Sequence, residues 1–147
     1  MLYDWTPRVR ALTIELTRHN TITDTVGEQA FPDALVQLLK ALPYFTEHPQ
    51  DLRVMDTLDD PLPRRSVYAL VRGNGTRTIA LAGHFDVVEI DAFGALAPLA
   101  FDPEALVEPL AETLGGRAAE ELRDGTFLPG RGVLDMKSGL AIGIALL

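Results

Sequence analysis

The chain of 147 residues contains no cysteine. Disulfides, thiolate zinc sites and iron–sulfur clusters are therefore excluded, because each of them needs cysteine sulfur. Histidine and the carboxylates of Asp and Glu remain as the strong metal ligands. This ligand set suits zinc, manganese or cobalt better than copper(I) or iron–sulfur chemistry.

Positive charge and long apolar runs are also scarce. The 13 Lys and Arg residues face 21 Asp and Glu residues, so the formal net charge is −8 and we expect no nucleic-acid partner. The longest apolar stretch, residues 140–147, is far shorter than the roughly 20 residues of a membrane span, so no membrane partner is expected. Residues 1–5 lack the basic and apolar regions of a secretory signal, which favours a cytoplasmic protein.

What the sequence does contain is material for one domain, since 47% of its residues are hydrophobic. Thr6 and Pro7 predict a helix with Thr6 as its N-cap, ending near His19. Apolar residues at three- and four-residue spacing predict a second helix over residues 23–41. Further helices are predicted over residues 103–113, 116–123 and 136–147.

Three strands are predicted between these helices, over residues 52–58, 66–73 and 77–83. The second is apolar on both faces, which is typical of strands buried between helical layers. Asn74-Gly75, between the second and third strands, favours a tight hairpin turn. The sequence therefore predicts an α/β fold with a mixed sheet flanked by helices.

His84 and Asp86 follow directly on the third predicted strand. Residues two apart in a strand point to the same side, so both side chains are expected together at the strand end, where α/β sheets bind ligands. A metal centre uses this pair, because the imidazole binds the cation while the acid orients the ring. The alternative is a buried His84 that donates to a backbone carbonyl.

A second cluster, residues 130–139, has the sequence Gly-Arg-Gly-Val-Leu-Asp-Met-Lys-Ser-Gly. Its acid, Asp135, is either a ligand or the N-cap of the helix that follows. Gly130 and Gly132 are expected to serve the backbone geometry. Lys137 is expected on the helix surface or as a charge beside the ligands.

The two clusters together resemble the M20 family of metallopeptidases and related amide hydrolases, which carry His-x-Asp followed by Gly-Arg-Gly-x-x-Asp-x-Lys-x-Gly. The Trp-containing first helix, the turn at residues 20–25 and Gly27-Glu28 are similar to the start of that family. Residues 43–45 (Pro-Tyr-Phe) and 47–49 (Glu-His-Pro) resemble its arginine-utilisation branch.

The resemblance implies a zinc-exopeptidase-like (phosphorylase/hydrolase-like) catalytic domain with two divalent ions about 3.5–4 Å apart. Zinc is expected, with manganese or cobalt as alternatives. His84 would bind one ion and Asp135 would bridge both. Asp86 is the residue assigned to catalysis, because it would accept a hydrogen bond from His84 and raise the basicity of the ring. The resemblance also implies a cis peptide bond between Asp135 and Met136.

The family supplies further ligands and a general base from an adjacent Glu-Glu pair downstream of the bridging acid, another acid and a distant His. Only twelve residues follow Asp135 here, and none is acidic or His. Glu120-Glu121 precedes Asp135 and reads as a solvated helical face. His19, at a helix C-terminus where a cation is favoured, and His48, in a loop, are not expected to replace the missing ligands.

Residues 1–147 are accordingly interpreted as the N-terminal portion of such a catalytic domain, truncated, without the lid and dimerisation domain and without its C-terminal part. The expected substrate of the parent enzyme is a small amide or peptide, such as an N-acyl amino acid or an arginine-related compound. The chain by itself is expected to be inactive, with homodimerisation possible. The competing hypothesis is a non-enzymatic module that binds a partner or associates with itself through its last, apolar helix.

Overall fold

The computed structural model describes residues 4–147. Residues 1–3, part of the stretch considered above for a secretory signal, lie outside the described residues. Six α-helices and two β-strands occur along the described chain. They are α1 (Thr6–Thr17), α2 (Val26–Lys40), α3 (Pro43–Glu47), β1 (Leu52–Asp56), β2 (Arg65–Ala69), α4 (Val107–Leu114), α5 (Gly116–Arg123) and α6 (Ser138–Ala145). Short 3₁₀ turns lie at Pro49–Asp51 and Asp91–Leu99, and a π-type turn spans Val133–Lys137.

The predicted helices are present, and their bounds differ mainly at the ends. The structure gives α5 the predicted bounds, whereas α4 begins at Val107 and α6 covers Ser138–Ala145. The N-cap of α1 is Trp5, which corrects the expected Thr6, because Asp4 accepts the Thr6 N–H at 3.0 Å and holds that residue in the first turn.

Two side-chain hydrogen bonds around Thr25 explain why α2 begins three residues later than expected. The Thr25 hydroxyl accepts the Glu28 N–H at 3.4 Å, and the Glu28 carboxylate accepts the Asp24 N–H at 2.6 Å. These two bonds satisfy backbone donors at the helix start and place Val26 as its first residue.

The main core lies where α1, α2, α3 and α6 meet. Because α6 consists of small and apolar residues, it packs closely against α1. Burying these side chains is the main favourable contribution to folding here. The buried members of this core are Leu16, Phe31, Leu39, Phe45, Ala141 and Ile144.

β1 and β2 form a two-stranded antiparallel sheet that packs on α2. Val54 pairs with Val67 in the centre of its register. Arg65, at the start of β2, forms a two-bond ion pair with Asp33 of α2, at 2.9 and 2.8 Å. Helices with a small sheet are compatible with the α/β class.

The third predicted strand, residues 77–83, is wrong for the described chain, and so is the β-hairpin at Asn74-Gly75. The only strands assigned within residues 4–147 are β1 and β2, and β2 ends at Ala69. A strand needs a partner for its backbone groups, and an apolar strand also needs cover for its side chains. Here Ile79 and Leu81 are 88% and 65% exposed. Residues 77–83 have local β propensity, but no neighbouring strand of the described chain pairs with them.

The stretch between this segment and the second motif contains α4 and α5, which pack against each other around Ala111, Ala119 and Leu122. A parallel bridge joins Ile22 to Val87, just after the His84 motif. Among residues 4–147, no helix combines the length and the apolar character needed to cross a membrane.

Candidate metal centre

The structure brings His84 and Asp135 into contact, although 51 positions separate them in sequence. The His84 Nε2 atom lies 3.1 Å from the Asp135 Oδ1 atom. The Asp135 side chain is 85% exposed and that of His84 is about half exposed. The pair therefore faces solvent, and a ligand can reach it. Because His84 is not buried, the interpretation of it as a core histidine does not hold.

Asp86 lies on the other side of the same imidazole. The His84 Nδ1 atom is 3.0 Å from the Asp86 carbonyl oxygen and 3.2 Å from the Asp86 carboxylate. Both are acceptors, so Nδ1 must carry the proton and donate it. In the neutral ring this leaves the Nε2 lone pair directed at Asp135.

Two acceptors thus face each other across 3.1 Å. Either a proton or a cation must lie between them for the contact to be favourable. Burial lowers the pKa of His84, but hydrogen bonds with the Asp86 carbonyl and the Asp135 carboxylate outweigh it, and the pKa is raised above its usual value. The contact therefore favours a proton between Nε2 and Oδ1, which is the position where a cation could bind.

The donor chemistry of this pair fits a zinc-type cation. A nitrogen and an oxygen that bind one Zn²⁺ tetrahedrally, each at about 2.0–2.1 Å, lie roughly 3.3 Å apart. The observed 3.1 Å is close to that spacing. Two ligands do not complete a site, however, and within residues 4–147 no group of three or more His, Cys, Asp or Glu side chains is arranged to hold a metal.

The segment that carries His84 is held by residues 19–23, which we call the connector. The Thr21 hydroxyl donates to the Phe85 carbonyl at 2.5 Å, and the Val87 N–H donates to the Thr21 carbonyl at 2.9 Å. The Thr23 N–H donates to the Val87 carbonyl at 3.0 Å, and the Thr23 hydroxyl donates to the Asp86 carboxylate at 3.1 Å. Hydrogen bonds from the connector, rather than a strand over residues 77–83, therefore support the segment that carries His84.

The segment that carries Asp135 is a turn rather than a helix start. Gly132 has a φ of +81°, and a Cβ at this position would lie 2.5 Å from the Val87 side chain. The Asp135–Met136 peptide bond is cis, which confirms the prediction. Asp135 does not cap α6, because the N-cap position is Lys137, which makes no side-chain cap bond. The N-cap alternative for Asp135 is therefore wrong.

Lys137 is fully buried, which corrects the expectation of a helix-surface charge. Its ammonium donates to the His19 carbonyl at 2.7 Å and lies 5.7 Å from the ring centres of Phe31 and Phe101. Burial lowers the pKa of Lys137 to about 8. Sequence reasoning did not predict that Lys137 is buried and bonded to the His19 carbonyl. The available signal was a lysine between Met136 and the apolar residues of α6.

The other two histidines have structural neighbours. The His19 ring packs edge-on against Phe31 at 5.2 Å, and the His48 ring packs on Tyr44 at 4.6 Å. Burial, and then the charge of Lys137, lower the pKa of His19. The expectation that the end of α1 favours a cationic His19 is therefore wrong, because burial disfavours the charged ring and the nearby Lys137 ammonium repels it.

Two proteins of Bacillus subtilis (strain 168) match this sequence. The protein RocB is 33% identical over 141 residues, which are 94% of this chain and 25% of RocB. The uncharacterized protein YqjN is 36% identical over 141 residues, which are 93% of this chain and 25% of YqjN. The chain thus spans about a quarter of the length of these curated relatives. No protein-family model and no solved structure matches the chain.

Proposed function

We propose that this chain carries part of the active site of an M20-type metal-dependent hydrolase. His84 and Asp135 would be ligands of a divalent cation, and Asp86 would orient the imidazole. The observation that carries the proposal is the contact between His84 Nε2 and Asp135 Oδ1 at 3.1 Å. The similarity to RocB and YqjN along nearly the whole chain supports a common family for the three proteins.

The proposed cation is zinc, or else manganese or cobalt, with two ions in the complete site. When bound, such an ion polarises a substrate carbonyl and lowers the pKa of water. The chain's own residues prepare that binding. Asp86 keeps the proton on Nδ1 of His84 and so leaves Nε2 free as a ligand. Asp135 presents exposed carboxylate oxygens, which suit a bridging position.

The proposed fold of the whole domain is zinc-exopeptidase-like, and residues 1–147 would form its N-terminal portion. A lid and dimerisation domain, and the rest of the catalytic domain, would complete the enzyme proposed here. The proposed substrate is a small amide or peptide, such as an N-acyl amino acid or an arginine-related compound. The general base and the remaining ligands are not among the residues assigned here, so we expect no turnover by this chain alone.

Cobalt(II) titration followed by visible absorption tests the ligand assignment. We expect weak binding that His84→Ala abolishes. Asp86→Asn should weaken binding about 10–100-fold, the usual effect of losing a partner that orients a metal-binding histidine. His48→Ala is the matched control, because His48 packs on Tyr44 instead, and it should leave the affinity unchanged. Equal binding by the parent chain and His84→Ala would contradict the assignment.

The competing function is a module that associates with itself. The observation in its favour is a set of exposed apolar side chains, among them Ile142 and Leu146 at the end of the chain and Ile79 and Leu81 in the unpaired segment. Light scattering after size exclusion measures the oligomer, and assays with N-acyl amino acids plus zinc or manganese measure turnover. A stable oligomer that binds no cobalt would favour the module. Turnover would support the hydrolase and refute the expected inactivity.

A further inference from the structure

The burial of Lys137 is not explained by packing alone. Its side chain is fully buried, and within residues 4–147 its ammonium forms no ion pair. Its polar contacts are the bond to the His19 carbonyl and two aromatic ring faces. An apolar side chain of similar shape would avoid the cost of burying the charge. The reason for burying an ammonium here must therefore lie in the two segments that it joins.

It connects the Asp135 turn to the connector, residues 19–23. Lys137 lies two residues after Asp135, and its N–H donates to the Gly132 carbonyl at 2.8 Å, so its backbone is part of that turn. Its ammonium reaches His19, the first residue of the connector, across 118 positions of sequence. Carbonyls at the end of a helix such as α1 are favourable partners for a cation.

The connector also holds the other half of the candidate site. Thr21 and Thr23 bind the Phe85–Val87 backbone and the Asp86 carboxylate. The Phe31 ring is a second link between the two halves of the candidate site. It lies beneath the Lys137 ammonium and also contacts Phe85, with ring centres 5.0 Å apart. The two motifs are thus fastened to one short piece of backbone and to one another through Phe31.

We propose that Lys137 is a positioning residue, whose bond to the His19 carbonyl sets the spacing between Asp135 and His84. Its consequence for metal binding rests on the function proposed above, whereas the geometric claim does not. Without the ammonium, the Asp135 turn loses its hydrogen bond to the connector. The two ligands then sample a wider range of separations, and the cation loses a preformed pair.

Spin labels test the geometric claim without any metal. The chain has no cysteine, so Val88→Cys and Leu134→Cys place one nitroxide beside each motif, at positions that are 68% and 90% exposed. Dipolar broadening in EPR then reports their separation. In the parent background we expect a narrow distribution. Lys137→Met should broaden and shift the distribution of label separations. The control, Lys40→Met, removes the exposed lysine at the end of α2 and should leave the distribution unchanged.

A distribution that Lys137→Met leaves unchanged would overturn the proposal. Thr21→Val is the companion variant, because it cuts the connector from the Phe85 carbonyl instead and decides the question if Lys137→Met does not fold. Broadening by Thr21→Val supports a connector that sets the spacing, and no change refutes it.

Cobalt affinity gives the second readout, measured at temperatures where circular dichroism shows each variant folded. We expect Lys137→Met to lose about 10–100-fold in affinity, as removal of outer-sphere support does. Lys40→Met should retain the parent affinity. A purely structural lysine would lower the unfolding temperature and leave the affinity of the folded protein unchanged. If the parent chain binds no cobalt, the proposed function fails, while the EPR distances still decide the role of Lys137.

Discussion

Gly27→Ala should destabilise the protein by perturbing the connector from the side of α2. A Cβ at position 27 would lie 1.9 Å from the Asn20 carbonyl oxygen, and that oxygen is backbone that no side-chain rotation can remove. Real Cβ contacts do not fall below 3.0 Å, so the connector or the start of α2 must move by about 1.1 Å. A displacement of that size breaks connector bonds that are now 2.9–3.0 Å long.

The expected magnitude follows from opposing terms. Losing the two backbone bonds between the connector and Val87 costs about 1 kcal/mol each. Forcing an extra methyl into packed structure typically costs about 1–3 kcal/mol, part of which is the same displacement. Alanine is the better helix former, but by at most about 1 kcal/mol. The steric term wins, and the free energy of unfolding should fall by roughly 1–3 kcal/mol.

Urea unfolding monitored by circular dichroism measures this loss, with unchanged m-values as the sign that only stability has changed. Gly75→Ala is the matched control, since a methyl group at position 75 would have no other atom within 4 Å. It should leave stability nearly unchanged. Hydrogen exchange at the Val87 amide should accelerate only in Gly27→Ala. A stabilising Gly27→Ala, or equal effects of the two substitutions, would refute the reasoning.

Tyr44→Phe should lower the urea midpoint, because the Tyr44 hydroxyl donates to the Asp51 carboxylate at 3.0 Å and Asp51 is buried. Tyr68→Phe is the control, because this ring is exposed, and it should leave the midpoint unchanged. Equal midpoints for the two variants would contradict the role of Tyr44. The pKa of His19 is lowered by burial and then by Lys137, so neutral His19 is favoured in the folded state. Its stabilising contribution is present above the ordinary pKa of about 6.5 and is lost as pH falls through the lower folded value. His19→Gln should therefore make unfolding free energy less dependent on pH below about 6.5, and an unaltered pH profile would refute the assignment.

Local sequence patterns located five of the six helices of the described chain, all but α3, and named the candidate site. The Pro7 signal for α1 and the apolar periodicity of α2 depend on residues a few positions apart, so they can be read without knowing the fold. The two motifs identified His84, Asp86 and Asp135 because chemistry restricts which side chains bind a cation. The family resemblance implied that the two motifs meet, and the structure brings His84 and Asp135 into contact. The metal role of these residues stays a prediction.

Tertiary structure decided the features that depend on distant partners. Residues 77–83 have strand propensity, but a strand forms only where another backbone pairs with it. Lys137 reads as a surface charge locally, yet its burial is determined by the end of α1 and by Phe31, more than a hundred positions away. The sequence thus determined which side chains could act, because that depends on residue chemistry and short-range spacing. Only the folded chain determined what holds them together, because those contacts join segments that no local pattern relates.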